Sequence, residues 1–159
     1  MEKAVFLDRD GVINVDKEYL YKPEDFEFIN GAPEAIRLMN KLGYKVVVVS
    51  NQSGVARGFF TVDDVVKLHK HIDRELKKYE AYIDAYYFCP HHPDFGSECD
   101  CRKPKTGLIE QAVRDFNIDL AKSWMIGDKA SDVECAENAG VKPILATEGL
   151  WERFPDLLK

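Results

Sequence analysis

The stretch Lys45-Val46-Val47-Val48-Val49-Ser50-Asn51-Gln52-Ser53-Gly54 decides the fold. Four consecutive valines favour extended backbone, because β-branched side chains pack well on a pleated surface. The run shows no apolar/polar alternation, so a strand over Lys45–Ser50 is expected to be buried on both faces, as in a parallel sheet covered by helices. Directly after it the chain turns small and polar, where a strand end opens onto solvent.

Working outward, short β-rich runs predict four more strands at Ala4–Leu7, Ala85–Cys89, Ser123–Ile126 and Pro143–Ala146. Helical periods lie between them. Ala35, Leu38, Met39 and Leu42 share a face, with Pro33 near the start and Gly43 past the end. Val65, Leu68, Ile72, Leu76 and Tyr79 form a second stripe, opened by Thr61 with Asp64 as a capping box. Leu108, Ile109, Ala112, Val113 and Phe116 form a third, and Val133 and Ala136, closed by Gly140, a fourth. Strands alternating with helices run parallel, because each crossover brings the chain back to the same edge. The expected fold class is α/β: a doubly wound, Rossmann-like parallel sheet in one domain over 1–159, with ligands at the carboxyl ends of the strands. Two long loops, Gly11–Gly31 and Pro90–Thr106, are expected to be functional, and neither is large enough for a separate cap domain.

The 159 residues suit one domain with a real core. Twenty-two basic against 28 acidic side chains give a net charge of −6, which argues against a broad nucleic-acid-coating surface. The longest uncharged run, Val46–Ala56, is too short and too polar to span a membrane, and the N-terminus does not read as a signal peptide. A cytoplasmic protein is expected, without membrane or nucleic-acid partners. Oligomeric state stays open, a monomer being the simpler expectation.

The strand ends carry the chemistry. Asp8-Arg9-Asp10-Gly11 follows the first strand, Ser50-Asn51 ends the second, and Gly127-Asp128-Lys129 follows the fourth, while Lys103 precedes the third helix. Asp8 and Asp10 alone could be solvated loop residues. Together with Asp128 they make an oxygen-rich pocket suited to Mg²⁺, and Ser50 and Lys103 add a hydroxyl and a cation for a phosphoryl group. A carboxylate can attack phosphorus, and a second can protonate the leaving oxygen and then activate water.

This four-part pattern, with Asp132 completing the last part, resembles the signature of haloacid dehalogenase-superfamily (HAD) phosphatases over nearly the whole chain. The resemblance implies Asp8 as nucleophile, Asp10 as general acid/base, Ser50 and Lys103 as phosphoryl ligands, and Mg²⁺ held by Asp8, Asp128 and the backbone carbonyl of Asp10. Asp132 is assigned to orienting the metal waters or Lys129. A phospho-receiver domain has related ingredients, but it places its acceptor Asp at the end of the third strand, where this chain has Cys89-Pro90.

Cys89-Pro90-His91-His92-Pro93 and Cys99-Asp100-Cys101 bring three thiols and an imidazole together, the composition of a closed Zn²⁺ site of Cys₃His type. Free thiols are the alternative. A loop this poor in apolar residues gains folding energy from a metal, and Cys101, two residues from Lys103, ties that loop to the site. The loop resembles the branch of the superfamily that dephosphorylates heptose bisphosphate and histidinol phosphate, which implies structural zinc on Cys89, His91, Cys99 and Cys101. His92 stays unassigned. Cys135 reads as core, and His69 and His71 as surface or packing residues.

The run Ser50–Gly58 resembles the heptose-bisphosphate members more closely. That implies a sugar bisphosphate losing its 7-phosphate, on the route to nucleotide-activated heptose for lipopolysaccharide or other surface glycans. Asn51, Arg57, Arg102 and Lys105 are the candidate substrate contacts, arginine being suited to bidentate phosphate binding. Histidinol phosphate, the alternative, carries a positive amine and an imidazole and calls for acidic partners, for which Asp16, Glu18 and Asp94 are available. An alternative of another class is a non-catalytic phospho-receiver or zinc-binding module. The apolar tail Leu150–Lys159, with Trp151, Phe154, Leu157 and Leu158, is expected to pack on its own core.

Overall fold

In a computed structural model, described for residues 1–96 and 98–157, five strands form one sheet in the order β3-β2-β1-β4-β5, every neighbouring pair parallel. The strands are β1 (Ala4–Leu7), β2 (Lys45–Asn51), β3 (Ala85–Cys89), β4 (Trp124–Gly127) and β5 (Lys142–Leu145). The helices are α1 (Ala32–Lys41), α2 (Val62–Lys77), α3 (Gly107–Phe116), α4 (Ala130–Ala139) and α5 (Leu150–Leu157).

The valine run does what its composition demands. Val46 and Val48 point into one core layer with α1, α2 and α5; Val47 and Val49 point into the other with α3 and α4. All four are 0% exposed, so helices cover both faces of the sheet centre. Thr61 and Asp64 form the expected capping box at the start of α2.

Three strands differ from the expectation, β2 by one residue at its end and β4 and β5 by one residue at both ends. β2 continues to Asn51, which pairs with Cys89. Ser123 precedes β4: its buried hydroxyl accepts from the Ala4 amide at 2.9 Å and donates to the Asp119 carbonyl at 2.7 Å, tying down the start of β1. β5 starts at Lys142 and ends at Leu145; it is an edge strand, where the missing N–H of Pro143 costs no ladder bond.

The tail forms α5. Trp151 donates from Nε1 to the Val12 carbonyl at 3.0 Å, and Phe154 is 0% exposed against the core that holds α1. Leu157 is exposed, and Leu158 lies outside the described residues. The Gly11–Gly31 segment doubles back on itself through Val15–Glu27 and Ile29–Ile13 backbone bonds, with no folded insertion.

Candidate active site

Because the sheet is parallel, the carboxyl ends of β1, β2 and β4 lie side by side, and there the predicted residues meet. Asp8 is 7% exposed; its Oδ1 accepts from the Arg9 amide at 2.9 Å and lies 3.2 Å from Lys103 Nζ. Both partners sit on one oxygen, so Oδ2 is left for other chemistry. Lys103, 4% exposed, also reaches Asp132 Oδ1 at 2.6 Å and donates to the Val49 carbonyl at 2.9 Å. Burial alone would lower the lysine pKa, but the Asp8 and Asp132 carboxylates outweigh it and raise the value.

Carboxylate oxygens of Asp8, Asp128 and Asp132 lie within 4.8 Å of one another. One ammonium does not neutralise three carboxylates. Burial, together with Asp132, Asp10 and Asp128, pushes the Asp8 pKa up to about 7 despite Lys103. Asp128 is raised as well, by burial first. Its Oδ1 is buried with no partner. Gly11, at φ +86°, gives it room: a Cβ there would run into the Asp128 carboxylate. Hard oxygens, surplus negative charge and an unpartnered buried carboxylate oxygen fit a divalent cation such as Mg²⁺. Asp132 is held for two tasks, since its Oδ2 also accepts from the Lys129 amide at 3.2 Å at the start of α4. A Cβ on Gly127 would overlap its side chain, so glycine is what lets β4 pass so close.

Asp10 is engaged differently. Its Oδ1 accepts from Asn14 Nδ2 at 2.9 Å and Arg9 Nε at 3.1 Å, and its Oδ2 from Arg9 Nη2 and Gln52 Nε2, both at 3.2 Å. Burial opposes ionisation, but Arg9, Asn14 and Gln52 overcome it and lower the pKa. Arg9 is 0% exposed. Its other bonds go to the Leu20 carbonyl at 3.1 Å, Gln52 Oε1 at 3.3 Å and His69 Nε2 at 3.3 Å. His69 is a packing residue: its ring stacks on Tyr86 at 4.3 Å, and burial followed by Arg9 lowers its pKa to about 3, keeping it a neutral acceptor. His71 is partly exposed on the outer side of α2, beside Phe26 and Glu75. Arg9, Asn14 and Gln52 were not singled out from the sequence; a polar residue beside two aspartates at a strand end reads there as solvated loop.

Ser50 is 1% exposed and its Oγ accepts from Gln52 Nε2 at 2.7 Å. The Asn51 side chain is taken up by the Lys103 backbone: Oδ1 accepts from the amide at 3.0 Å and Nδ2 donates to the carbonyl at 3.3 Å. It therefore locks the lysine to the end of β2, while still lining the opening. Arg57, Arg102 and Lys129 line a cleft of about 560 Å³ together with Asp10, Asp16, Glu18 and Tyr19. A small recess lined by Asp8, Lys103 and Asp132 shares Asp10, Asn51 and Lys129 with that cleft. Lys105 is not among the lining residues; its ammonium donates to the Cys99 carbonyl and braces the cysteine loop instead. Asp94 also stands apart from the cleft, on the turn beside His92.

The cysteine loop closes as a cluster. Ligand atoms of Cys89, His91, Cys99 and Cys101 lie within 4.8 Å of one another. Cys89 Sγ is 3.6 Å from Cys99 Sγ and 3.5 Å from His91 Nδ1, which is 3.4 Å from Cys101 Sγ. Edges of roughly 3.6–3.8 Å are what a zinc tetrahedron with ordinary bond lengths gives. The Cys89 and Cys101 sulfurs approach more closely, to 2.7 Å, still longer than a disulfide. Cys135 is buried among the core residues of α3 and α4, as expected.

Residues 100–154 match the HAD-hydrolase-like family. The chain is 49% identical over 144 residues to the D-glycero-beta-D-manno-heptose-1,7-bisphosphate 7-phosphatase of Vibrio cholerae, covering 87% of this chain and 77% of that protein. It is 46% identical over 146 residues to the protein of the same name from Haemophilus ducreyi, covering 89% and 80%. Among solved structures, the D,D-heptose 1.7-bisphosphate phosphatase of B. bronchiseptica, complexed with magnesium and phosphate, superposes with a TM-score of 0.83 at 37% identity, over 90% of this chain and 79% of that one. Strand-end carboxylates around a buried lysine and relatives of this closeness lead to one conclusion: the chain belongs to the HAD-like phosphatases, phosphoric monoester hydrolases, in the group that contains the heptose-bisphosphate phosphatases.

Proposed function

We propose that this chain hydrolyses the 7-phosphate of D-glycero-β-D-manno-heptose 1,7-bisphosphate, with Mg²⁺, in the cytoplasm, as a step toward nucleotide-activated heptose. The observation that carries the substrate class is the cleft beside Asp8: it has two arginines, Arg57 and Arg102, on its wall, a second cationic station for a second phosphate. The names of the relatives support the same substrate.

In this reading Asp8 attacks phosphorus and the sugar oxygen leaves, giving an aspartyl-phosphate that water then hydrolyses. Lys103 neutralises the phosphoryl oxygens and holds Asp8 in line. Asp10 supplies the proton to the leaving oxygen and later withdraws one from water. All of its oxygen sites are occupied by Arg9, Asn14 and Gln52, so delivering a proton requires a side-chain turn that releases part of that network. A dianionic phosphoryl group arriving beside it raises its proton affinity. Asp8, Asp128 and the backbone carbonyl of Asp10 would hold Mg²⁺, which lowers the repulsion between an anionic nucleophile and an anionic phosphate. Zinc, on Cys89, His91, Cys99 and Cys101, would be structural, since four protein ligands leave no open position.

The elevated Asp8 pKa gives a testable linkage. Between about pH 4 and pH 7 the folded protein holds a proton on Asp8 that the unfolded chain has lost, so this group's contribution to stability declines as pH rises through that window. A cation that binds the ionised carboxylate displaces the proton. Mg²⁺ affinity, read from the upward shift of the melting temperature, should therefore be roughly 20- to 30-fold weaker at pH 5.5 than at pH 7.5 for a single coupled proton. Equal shifts at both pH values in titrations with Mg²⁺ would remove Asp8 from the metal site.

The deciding assay measures phosphate release with Mg²⁺ from heptose 1,7-bisphosphate and from histidinol phosphate side by side. A kcat/KM at least ~100-fold higher for the bisphosphate is expected, from a preparation carrying about one zinc per chain. A preference for histidinol phosphate would assign the cleft's Asp16 and Glu18 to its amine and overturn the substrate reading.

A further inference from the structure

We propose that Phe95, backed by His92, is a positioning residue that holds the Arg57 guanidinium at the cleft as the receptor for the distal phosphate, so that the cysteine loop sets the preference for a bisphosphate. This rests on the substrate reading above and deepens it.

Three segments far apart in sequence converge on Arg57. The Phe95 ring centroid is 4.8 Å from Cζ, the Tyr19 ring 5.8 Å, and His92 Nε2 is 3.3 Å from Nη2. A neutral imidazole accepts at one nitrogen only, and His92 Nδ1 already accepts from the Asp94 amide at 3.1 Å, so its approach to the guanidinium is a packing contact and its ring backs Phe95 at 5.5 Å between centroids. Among the described residues no carboxylate pairs with Arg57. Its Nε is buried without an acceptor. A cation kept without a counterion, and with an unsatisfied buried donor, is an arrangement that an anionic ligand completes.

Aromatic rings attract the face of a guanidinium and leave its edge free, and the edge is what a phosphate grips in a two-pronged contact. Phe95 and Tyr19 are 50% and 43% exposed, and Phe95 also meets the His92 ring and Tyr19 the Phe59 ring. An arginine held in place before the substrate arrives loses less side-chain freedom on binding. Phe95 sits between Cys89 and His91 on one side and Cys99 and Cys101 on the other, so the cluster that closes the loop also places the ring.

The test uses the full chain with heptose 1,7-bisphosphate and p-nitrophenyl phosphate, comparing Arg57→Ala, Phe95→Leu and Phe95→Tyr. Phe95→Leu should lower the bisphosphate-to-monoester ratio of kcat/KM about tenfold, through the KM of the bisphosphate, and Phe95→Tyr should restore it to within about twofold. Equal kcat losses on both substrates, or no rescue by tyrosine, mean a merely structural ring and overturn the inference. If Arg57→Ala lowers the ratio and Phe95→Leu does not, the positioning role alone fails. If Arg57→Ala leaves the ratio unchanged, the bisphosphate reading of Arg57 fails and the inference with it.

Discussion

Asp8→Asn is expected to abolish phosphate release, by at least about 10⁴-fold in kcat, while the protein melts no lower than wild type. The first half follows from chemistry: an amide is no nucleophile toward phosphorus, and among the described residues the carboxylates that pair with Lys103 are those of Asp8 and Asp132. Asp10 is enclosed by Arg9, Asn14 and Gln52, and Asp132 is bound to Lys103 and to the Lys129 amide. The second half follows from electrostatics. Asp8 is 7% exposed and its pKa stands near 7, which means that the fold disfavours its charge at neutral pH. Removing that charge relieves repulsion from Asp132, Asp10 and Asp128, and Lys103 keeps Asp132 as partner. A site whose function conflicts with stability behaves in this way when its reacting group is deleted. Steady-state turnover and a thermal melt on one preparation decide both halves. Turnover within tenfold of wild type would move the nucleophile elsewhere, and a melting temperature several degrees lower would show that Asp8 is a structural partner of Lys103 first.

How far the sequence reached depends on what kind of interaction fixes each residue. Val46–Val49 declared the sheet, because a run that cannot face water on either side has few alternatives. Asp8, Ser50 and Asp128 were found because strand ends in a parallel sheet converge whatever the details of packing, and Lys103 from its place before the third helix. The cysteine cluster was legible from residue chemistry and spacing. What escaped depends on burial of groups that ordinarily seek water. Arg9 is a fully buried arginine whose partners, Gln52 and His69, come from the turn after β2 and from α2, and neither distance is written in local pattern. Asn51 and Lys105 show the limit of position alone: both lie at the right place in the chain, yet one side chain clamps the Lys103 backbone and the other reaches back to Cys99. The tail's apolar residues foretold its docking; its helix, with Pro155 inside and no capping signal, was not readable.

Lys103→Met should be the most destabilising single change in the site. Its ammonium is almost wholly enclosed, and three acceptors depend on it: Asp8, Asp132 and the Val49 carbonyl. Methionine matches the length of the stem but leaves two buried carboxylates facing each other. Breaking a buried pair from one side costs about 3–5 kcal/mol, because the orphaned charge stays in place. In a domain of this size that corresponds to roughly 6–20 °C in melting temperature. Part of the cost is avoidable: protonation of Asp8, already near half-complete at pH 7, lets the variant neutralise itself, so the loss should be smaller at pH 5.5 than at pH 8. The double variant Lys103→Met with Asp132→Asn separates stability from catalysis. Removing the second charge should return much of the lost stability, giving a coupling of about 1–3 kcal/mol in the double-mutant cycle. Activity should not return with it, because the phosphoryl group still meets no ammonium. Strict additivity of the two melting shifts would mean that the 2.6 Å contact between Lys103 and Asp132 contributes no coupling, and that Asp132 serves the start of α4 alone.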